Sequence, residues 1–251
     1  MAELDQRYRQ STATTGTAVD EGLRSHMLGV YNYMAAGIAA TGVVSYLTYM
    51  LATVVGPAGN VVGLTELGQV LYQSPIKYVA MFAPLVFVLY LSVRAHKMSV
   101  GAAHLAFWAF AAVMGISLSS IFISFTGQSI VQIFFVTAAA FAGLSIWGYT
   151  TKKDISGWGS FLIMGVVGLI IASIVNLFMQ SSAMQFAISS IGVLVFAGLT
   201  AYDTQRIKDE YLTLRHDSTM VAKAAILGAL SLYLDFINMF ISMLHLFGSQ
   251  E

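Results

Sequence analysis

Val221–Phe247 reads VAKAAILGALSLYLDFINMFISMLHLF. About 20 apolar residues in helical form cross the ~30 Å of hydrocarbon in a bilayer, and this run exceeds that length. Near its middle stands Asp235. A carboxylate at that depth costs roughly 2.5–3.5 kcal/mol on insertion scales. Steps of three and four from Asp235 meet Ser231, Gly228 and Ala224 behind it and Asn238, Ser242 and His245 ahead. This is one small and polar stripe at heptad spacing. The remaining faces carry Leu227, Leu230, Leu232, Phe236, Ile237, Met239, Phe240 and Ile241. Such a helix turns its stripe to protein and its apolar faces to neighbours or lipid. Apolar residues surround most of it, so it belongs at the centre of a bundle. A mid-span carboxylate also suits a re-entrant hairpin, which would return the C-terminus to the side it came from.

Six further apolar runs precede it: Met27–Val55, Tyr78–Val93, Ala102–Phe125, Ile130–Tyr149, Gly157–Met179 and Met184–Arg206. The second is short, but Lys77 and Arg94 flank it and can snorkel. The chain is 57% hydrophobic and 10% charged, where a soluble domain carries about a quarter charged residues. The fold class expected is an all-α membrane protein of seven transmembrane helices with the last helix central. Zero net charge excludes a basic field for nucleic acid, and the absence of cysteine excludes a disulfide framework or thiolate site. Residues 1–26 form a polar tail, too long and too acidic for a signal-peptide n-region. It is expected to be disordered, with a helical stretch near Asp20–His26. Residues 27–251 form the transmembrane domain.

The basic residues test the span count. Counted by alternating loops, eleven of the twelve lysines and arginines fall on one side, and Lys77 alone falls on the other. The positive-inside rule makes the rich side cytoplasmic. The N-terminus is then inside and, if all seven runs cross, the C-terminus outside. His104 and His245 have no partner at metal-ligand spacing, and Trp108, Trp147 and Trp158 suit packing or interface positions.

The sixth run ends in Leu199-Thr200-Ala201-Tyr202-Asp203-Thr204-Gln205-Arg206-Ile207-Lys208. Asp203 shares a face with Thr200, Phe196 and Gly192, which points inward if this helix packs on the seventh. Asp203 and Arg206 are three apart, and a local surface pair between them is the plainer reading. The short connection between the two runs makes an antiparallel hairpin that brings Asp203 and Asp235 to comparable depth. Two poorly solvated carboxyls titrate as one unit in two coupled steps, sharing a proton in acid and repelling in alkali. The pair is thus a candidate pH sensor. It also offers oxygens to a cation, and calcium prefers oxygen ligands, with Asn238 able to add one more. Arg94 or Arg206 is placed to lock the pair by a charge-assisted hydrogen bond. The fifth run carries a similar stripe of Gly165, Gly168, Ala172, Ser173 and Asn176, which reads as packing.

Ala201-Tyr202-Asp203-Thr204-Gln205-Arg206-Ile207 and Leu230-Ser231-Leu232-Tyr233-Leu234-Asp235-Phe236-Ile237-Asn238-Met239-Phe240 resemble the signature segments of the Bax inhibitor-1 family, the transmembrane Bax inhibitor motif proteins. The resemblance spans Met27 to Phe247. The polar tail followed by Tyr31-Asn32-Tyr33-Met34 is similar to bacterial members. The resemblance implies seven helices with the last at the centre, and a pH-dependent calcium leak in which Asp203 and Asp235 sense protons. It also implies a basic latch at the end of the second span, for which Arg94 is the nearest candidate. Some members carry an acidic residue within that span; here there is none, only Pro84. Bacterial relatives are linked to a membrane-anchored ATP-dependent protease whose activity they modulate.

Three readings follow. The first is a calcium leak of the inner membrane, gated by the aspartate pair and needing no cofactor. The second is a partner protein that restrains a membrane-anchored ATP-dependent protease through the polar tail. The third is an intramembrane aspartyl protease, in which paired carboxyls activate water. The sequence argues against an enzyme: Leu232-Tyr233-Leu234 precedes Asp235 in place of Gly-x-Gly, and no Pro-Ala-Leu triplet exists among Pro57, Pro75 and Pro84.

Overall fold

A computed structural model describes residues 21–56, 61–94 and 97–250, the side chain at 92 excepted. The expectation of a disordered tail falls on 1–20 and lies outside the described residues. Helix α1 spans Ala2–Ala52, and its described part from Glu21 onward is already long enough to cross a bilayer. Leu23 and His26, placed in the tail from sequence, are buried there. A short antiparallel ribbon follows, β1 (Thr53–Val55) and β2 (Val61–Leu64). It adds to the all-α expectation: paired β-branched valines favour a pleated strand over a last helical turn.

A single turn, α2 (Glu66–Gly68), runs on through a π-helical turn at Gln69–Gln73 into α3 (Ile76–Arg94). The two parts meet at a 66° bend, so the second run is a broken span. Helix α4 (Val100–Leu118) and the short α5 (Ile121–Ser124) form the third run, and α6 (Gly127–Thr150) the fourth. Helices α7 (Trp158–Met179), α8 (Ser182–Leu214) and α9 (Ser218–Phe247) complete the chain. Among the described residues, six helices are long and apolar enough to cross, and the bent pair makes the seventh.

Side-chain contacts show that the bent pair must return across the bundle. Tyr33 meets His104 edge-on, Thr41 donates to the Ala111 carbonyl, and Gly115 sits against Val44. Helices α1 and α4 are therefore parallel and begin at the same end, and only α3 connects the far end of one to the start of the other. At that far end, Thr126 donates to Ser249 and Phe125 pairs with Gln250. The α5–α6 junction and the C-terminus thus share one end, as four crossings between them require.

Helix α9 is continuous over 30 residues, so the hairpin alternative does not hold for the last run. Its N-cap is Asp217, whose carboxylate accepts from Thr219 and Met220. Two thirds of its most apolar stretch is buried, against a third or less in the other long helices. It packs on α8, α1, α6 and α4. Leu232, Tyr233, Met239 and Leu244 are fully enclosed, with Phe107, Phe110, Phe134 and Phe141 edge-on to its aromatic rings. The central last helix expected from sequence is the one observed.

Candidate functional site

Helices α8 and α9 lie antiparallel and close because small residues meet larger ones along the stripe. A Cβ on Gly192 would fall 2.6 Å from Ser242 Oγ, and one on Gly228 would fall 2.9 Å from Ile207. This contact brings Asp203 and Asp235 face to face. Both are buried, at 6% and 4% exposure, and each lies within electrostatic reach of the other across the contact. A hydrogen bond between two carboxyls needs one proton on the pair, because a carboxylate only accepts. Asp235 Oδ2 is the single buried side-chain oxygen or nitrogen among the described residues with no hydrogen-bond partner.

Arg206 covers this pair from the end of the bundle. Its Nη2 lies 3.2 Å from Asp203 Oδ1 and donates to Ser231 Oγ at 3.0 Å. The guanidinium also lies over the Tyr202 ring, 5.8 Å from its centroid. The plain surface pair between Asp203 and Arg206 is present, but only its arginine is at the surface, with 44% of its side chain exposed against 8% for the aspartate. Beyond Arg206 opens a cleft of about 610 Å³, lined by Arg206, Asp209, Glu210, Thr213, Gly228 and Ser231 among others.

Arg94 is not brought to the pair. It is exposed at the end of α3, which packs chiefly on α4, and it forms no ion pair among the described residues. Asn238 is also turned away: its amide donates to the Leu234 carbonyl at 2.8 Å on its own helix. No group of three or more acidic, histidine or cysteine side chains gathers among the described residues, so the two carboxyls stand without a third such ligand.

Sequence reading missed the polar residues that pin this interface from outside. Tyr31 Oη contacts Ser145 Oγ at 2.5 Å, Ser145 Oγ contacts Thr204 Oγ1 at 2.9 Å, and Thr204 donates to the Thr200 carbonyl. One hydroxyl chain thereby ties α1 and α6 to α8 beside Asp203. Gln205 clamps the α6–α7 loop, donating to Lys153 O and accepting from Ile155 N. Their signal was in plain view: Thr204 and Gln205 are uncharged polar residues in an otherwise apolar run, and each needs a partner when buried.

Residues 23–251 match the model of the family described as Inhibitor of apoptosis-promoting Bax1. The chain belongs to the Bax inhibitor-1 family. It is 45% identical to a protein of Caulobacter vibrioides over 93% of this chain and 92% of that one. It is 40% identical to the inner membrane protein YbhL of Escherichia coli over 92% of this chain and 94% of the relative. A membrane protein of Streptococcus pyogenes, SpyM3_0260, is 35% identical over 94% and 97%. The family match covers α9 and the aspartate pair together, so the resemblance seen in the two signature segments extends across the membrane domain.

Proposed function

We propose that the protein is a pH-gated cation leak of the inner membrane, that calcium is the permeant ion, and that Asp203 and Asp235 are its gate. The observation that carries this reading is the facing of two buried carboxyls, one oxygen of them unpartnered, under an arginine that opens onto a polar cleft. Packing does not require a carboxylate in a central helix, and insertion penalises it. One shared proton joins the two groups; loss of that proton sets two charges against each other across the α8–α9 contact. The helix contact sets Gly192 against Ser242 and Gly228 against Ile207, so the two helices meet closely at the level of the pair and any charge repulsion there acts directly on their contact.

Calcium is the cargo here. A resident calcium ion takes six to eight oxygens, whereas two carboxyls give a transit point that an ion enters and leaves. Placement in an inner membrane follows the named relative YbhL. The basic end, with Arg24, Lys152, Lys153, Lys208, Arg215 and Lys223, is the cytoplasmic one on this reading. Nothing in it requires an enzyme.

The test is calcium flux into liposomes holding the purified protein, from pH 6 to 8, beside Asp235→Asn and Asp203→Asn. Flux that varies with pH in the parent and loses that variation in the variants supports the gate. No flux above empty liposomes at any pH, from folded protein, overturns the leak. The partner reading then takes over, and the experiment becomes co-purification with a membrane-anchored ATP-dependent protease with and without residues 2–26.

A further inference from the structure

Between the end of α6 and the flank of α8 lies a second hollow of about 550 Å³, separate in chemistry from the aspartate site. Lys152, Lys153 and Lys208 line it with Thr150, Thr151 and Gln205. None of the three lysines forms an ion pair among the described residues. Lys208 donates to the Tyr149 carbonyl at 3.0 Å and lies over the Tyr149 ring, 5.4 Å from its centroid. An ammonium has three protons, so this contact orients Lys208 and leaves donors free. The loop carrying the other two is held rigidly. Gln205, itself buried, bonds Lys153 O and Ile155 N, Ile155 is buried beneath the loop, and Thr151 Oγ1 accepts from Lys153 N.

Two observations set the depth of this hollow. Trp147 and Trp158 flank the loop and stack with centroids 6.2 Å apart, and both are exposed on the outer surface of the bundle. Exposed tryptophans at span ends mark the headgroup level of a bilayer. The hollow lies within about one turn of both.

We propose that this hollow binds the phosphate of an anionic lipid headgroup. Three ammonium groups without an ion pair among the described residues, two of them on a fixed loop beside the Thr151 hydroxyl, suit a phosphate, and basic pockets between spans at the membrane surface take such headgroups. Two carboxylates limit the charge it accepts. Asp154 is held below the usual carboxylate range by hydrogen bonds from Ser156, side chain first and backbone second, and Asp209 lies at the rim shared with the larger cleft. The net excess of one positive charge fits a singly charged phosphodiester. The same phosphate chemistry is available from free inorganic phosphate, and the experiment separates the two.

The test is native mass spectrometry of the full chain in detergent, titrated with phosphatidylglycerol and with phosphatidylcholine of the same acyl chains. One phosphatidylglycerol is expected to stay bound under conditions that strip phosphatidylcholine. Lys152→Gln with Lys153→Gln should lower that retention by about tenfold or more, from the weight of two lysines beside an anionic headgroup. Lys223→Gln, at the same end but off the hollow, should leave it unchanged. Both exposed lysines lie outside the core, and an unchanged melting temperature confirms that the variant folds. Displacement of the lipid by millimolar inorganic phosphate assigns the site to free phosphate; no displacement assigns it to the lipid. Equal retention of the two lipids, or an equal fall in Lys223→Gln, overturns the proposal.

Discussion

Arg206 Nη2 serves Asp203 at 3.2 Å and Ser231 at 3.0 Å, so one guanidinium corner joins the two helices that carry the carboxyls. Asp203 comes from α8 and Ser231 from α9, one turn before Asp235. Parting the two helices here therefore requires Arg206 to release either Asp203 or Ser231. The nearest other acids on its own helix are Asp209 and Glu210, three and four residues on, and both line the cleft it faces.

Arg206→Gln removes the positive charge that favours an ionised Asp203 while keeping a donor for Ser231. More alkaline solution is then needed to strip the shared proton. The pH midpoint of calcium flux should move upward, by about one unit if the lost attraction is near 1.4 kcal/mol. Arg206 itself is 44% exposed, and solvent around it screens the attraction, which keeps the shift modest. Liposome flux from pH 6 to 9 measures it; an unchanged midpoint removes Arg206 from the gate. Arg94→Gln, with its side chain exposed on α3, should leave the midpoint where it is.

Asp235→Asn tests the cost of the unpartnered oxygen. A buried polar group without a partner costs about 1–3 kcal/mol, and more when charged. The amide cannot ionise, so the variant should melt above the parent at pH 8, where ionisation of the pair is most favoured. At pH 5 ionisation of the pair is less favoured and the gap should narrow. Thermal unfolding in detergent at the two pH values reads both quantities. A variant less stable than the parent at both would mean that Asp235 is held by a contact stronger than the facing carboxyl.

The last helix was legible because its argument is local. Periodicity puts Asp235, Ser231, Gly228 and Ser242 on one face, and a lone carboxylate among leucines marks that face as the one meeting protein. The small residues do meet α8, where Gly228 receives Ile207 and Gly192 receives Ser242. The arginine that meets Asp203 was not legible in the same way. Arg94 and Arg206 both end a span, and choosing between them requires knowing that α3 lies against α4 while α8 lies against α9. Nothing in the residues around Arg94 encodes that neighbour. The 66° break before α3 was hidden for a related reason: Glu66–Gln73 is too short and too polar to resemble a span by itself. Its connection across the break becomes evident only when Thr65 donates to Ala52 and Tyr72 to Ser119.

Glycines in the bundle divide into those that a neighbour fills and those that face open space. Gly148 on α6 lies against the Ala201 backbone carbonyl of α8, where an added methyl would overlap it, while Gly168 on α7 has nothing within contact distance. Both substitutions to alanine gain helix propensity, about 0.5–1 kcal/mol. At Gly148 the gain is overtaken by overpacking, about 1–3 kcal/mol, because a backbone cannot turn aside. Gly148→Ala should lower the melting temperature and Gly168→Ala should hold or raise it. The same sign for both would mean that the α6–α8 contact is looser than this geometry.

Tyr233 and Thr41 lock α9 to α1 at the centre of the bundle, and their two deletions should be unequal. Tyr233 is fully buried beneath Phe107 and Phe110, and its hydroxyl meets Thr41 Oγ1 at 2.7 Å. Thr41 in turn donates to the Ala111 carbonyl at 2.9 Å, so the tyrosine is the donor in the first bond. Tyr233→Phe removes one donor and leaves Thr41 bonded to α4, a loss of about 0.5–1.5 kcal/mol. Thr41→Val keeps the volume but removes both bonds, and it strands a buried phenol hydroxyl as well as weakening the tie to α4. Its cost should exceed that of Tyr233→Phe by about 1–2 kcal/mol, the penalty for a buried donor left unmade. In the double variant the phenol is gone, so the sum of the single losses should not be reached. Thermal unfolding of the four proteins in one detergent decides the matter. Strict additivity would show that the two side chains hold their helices independently.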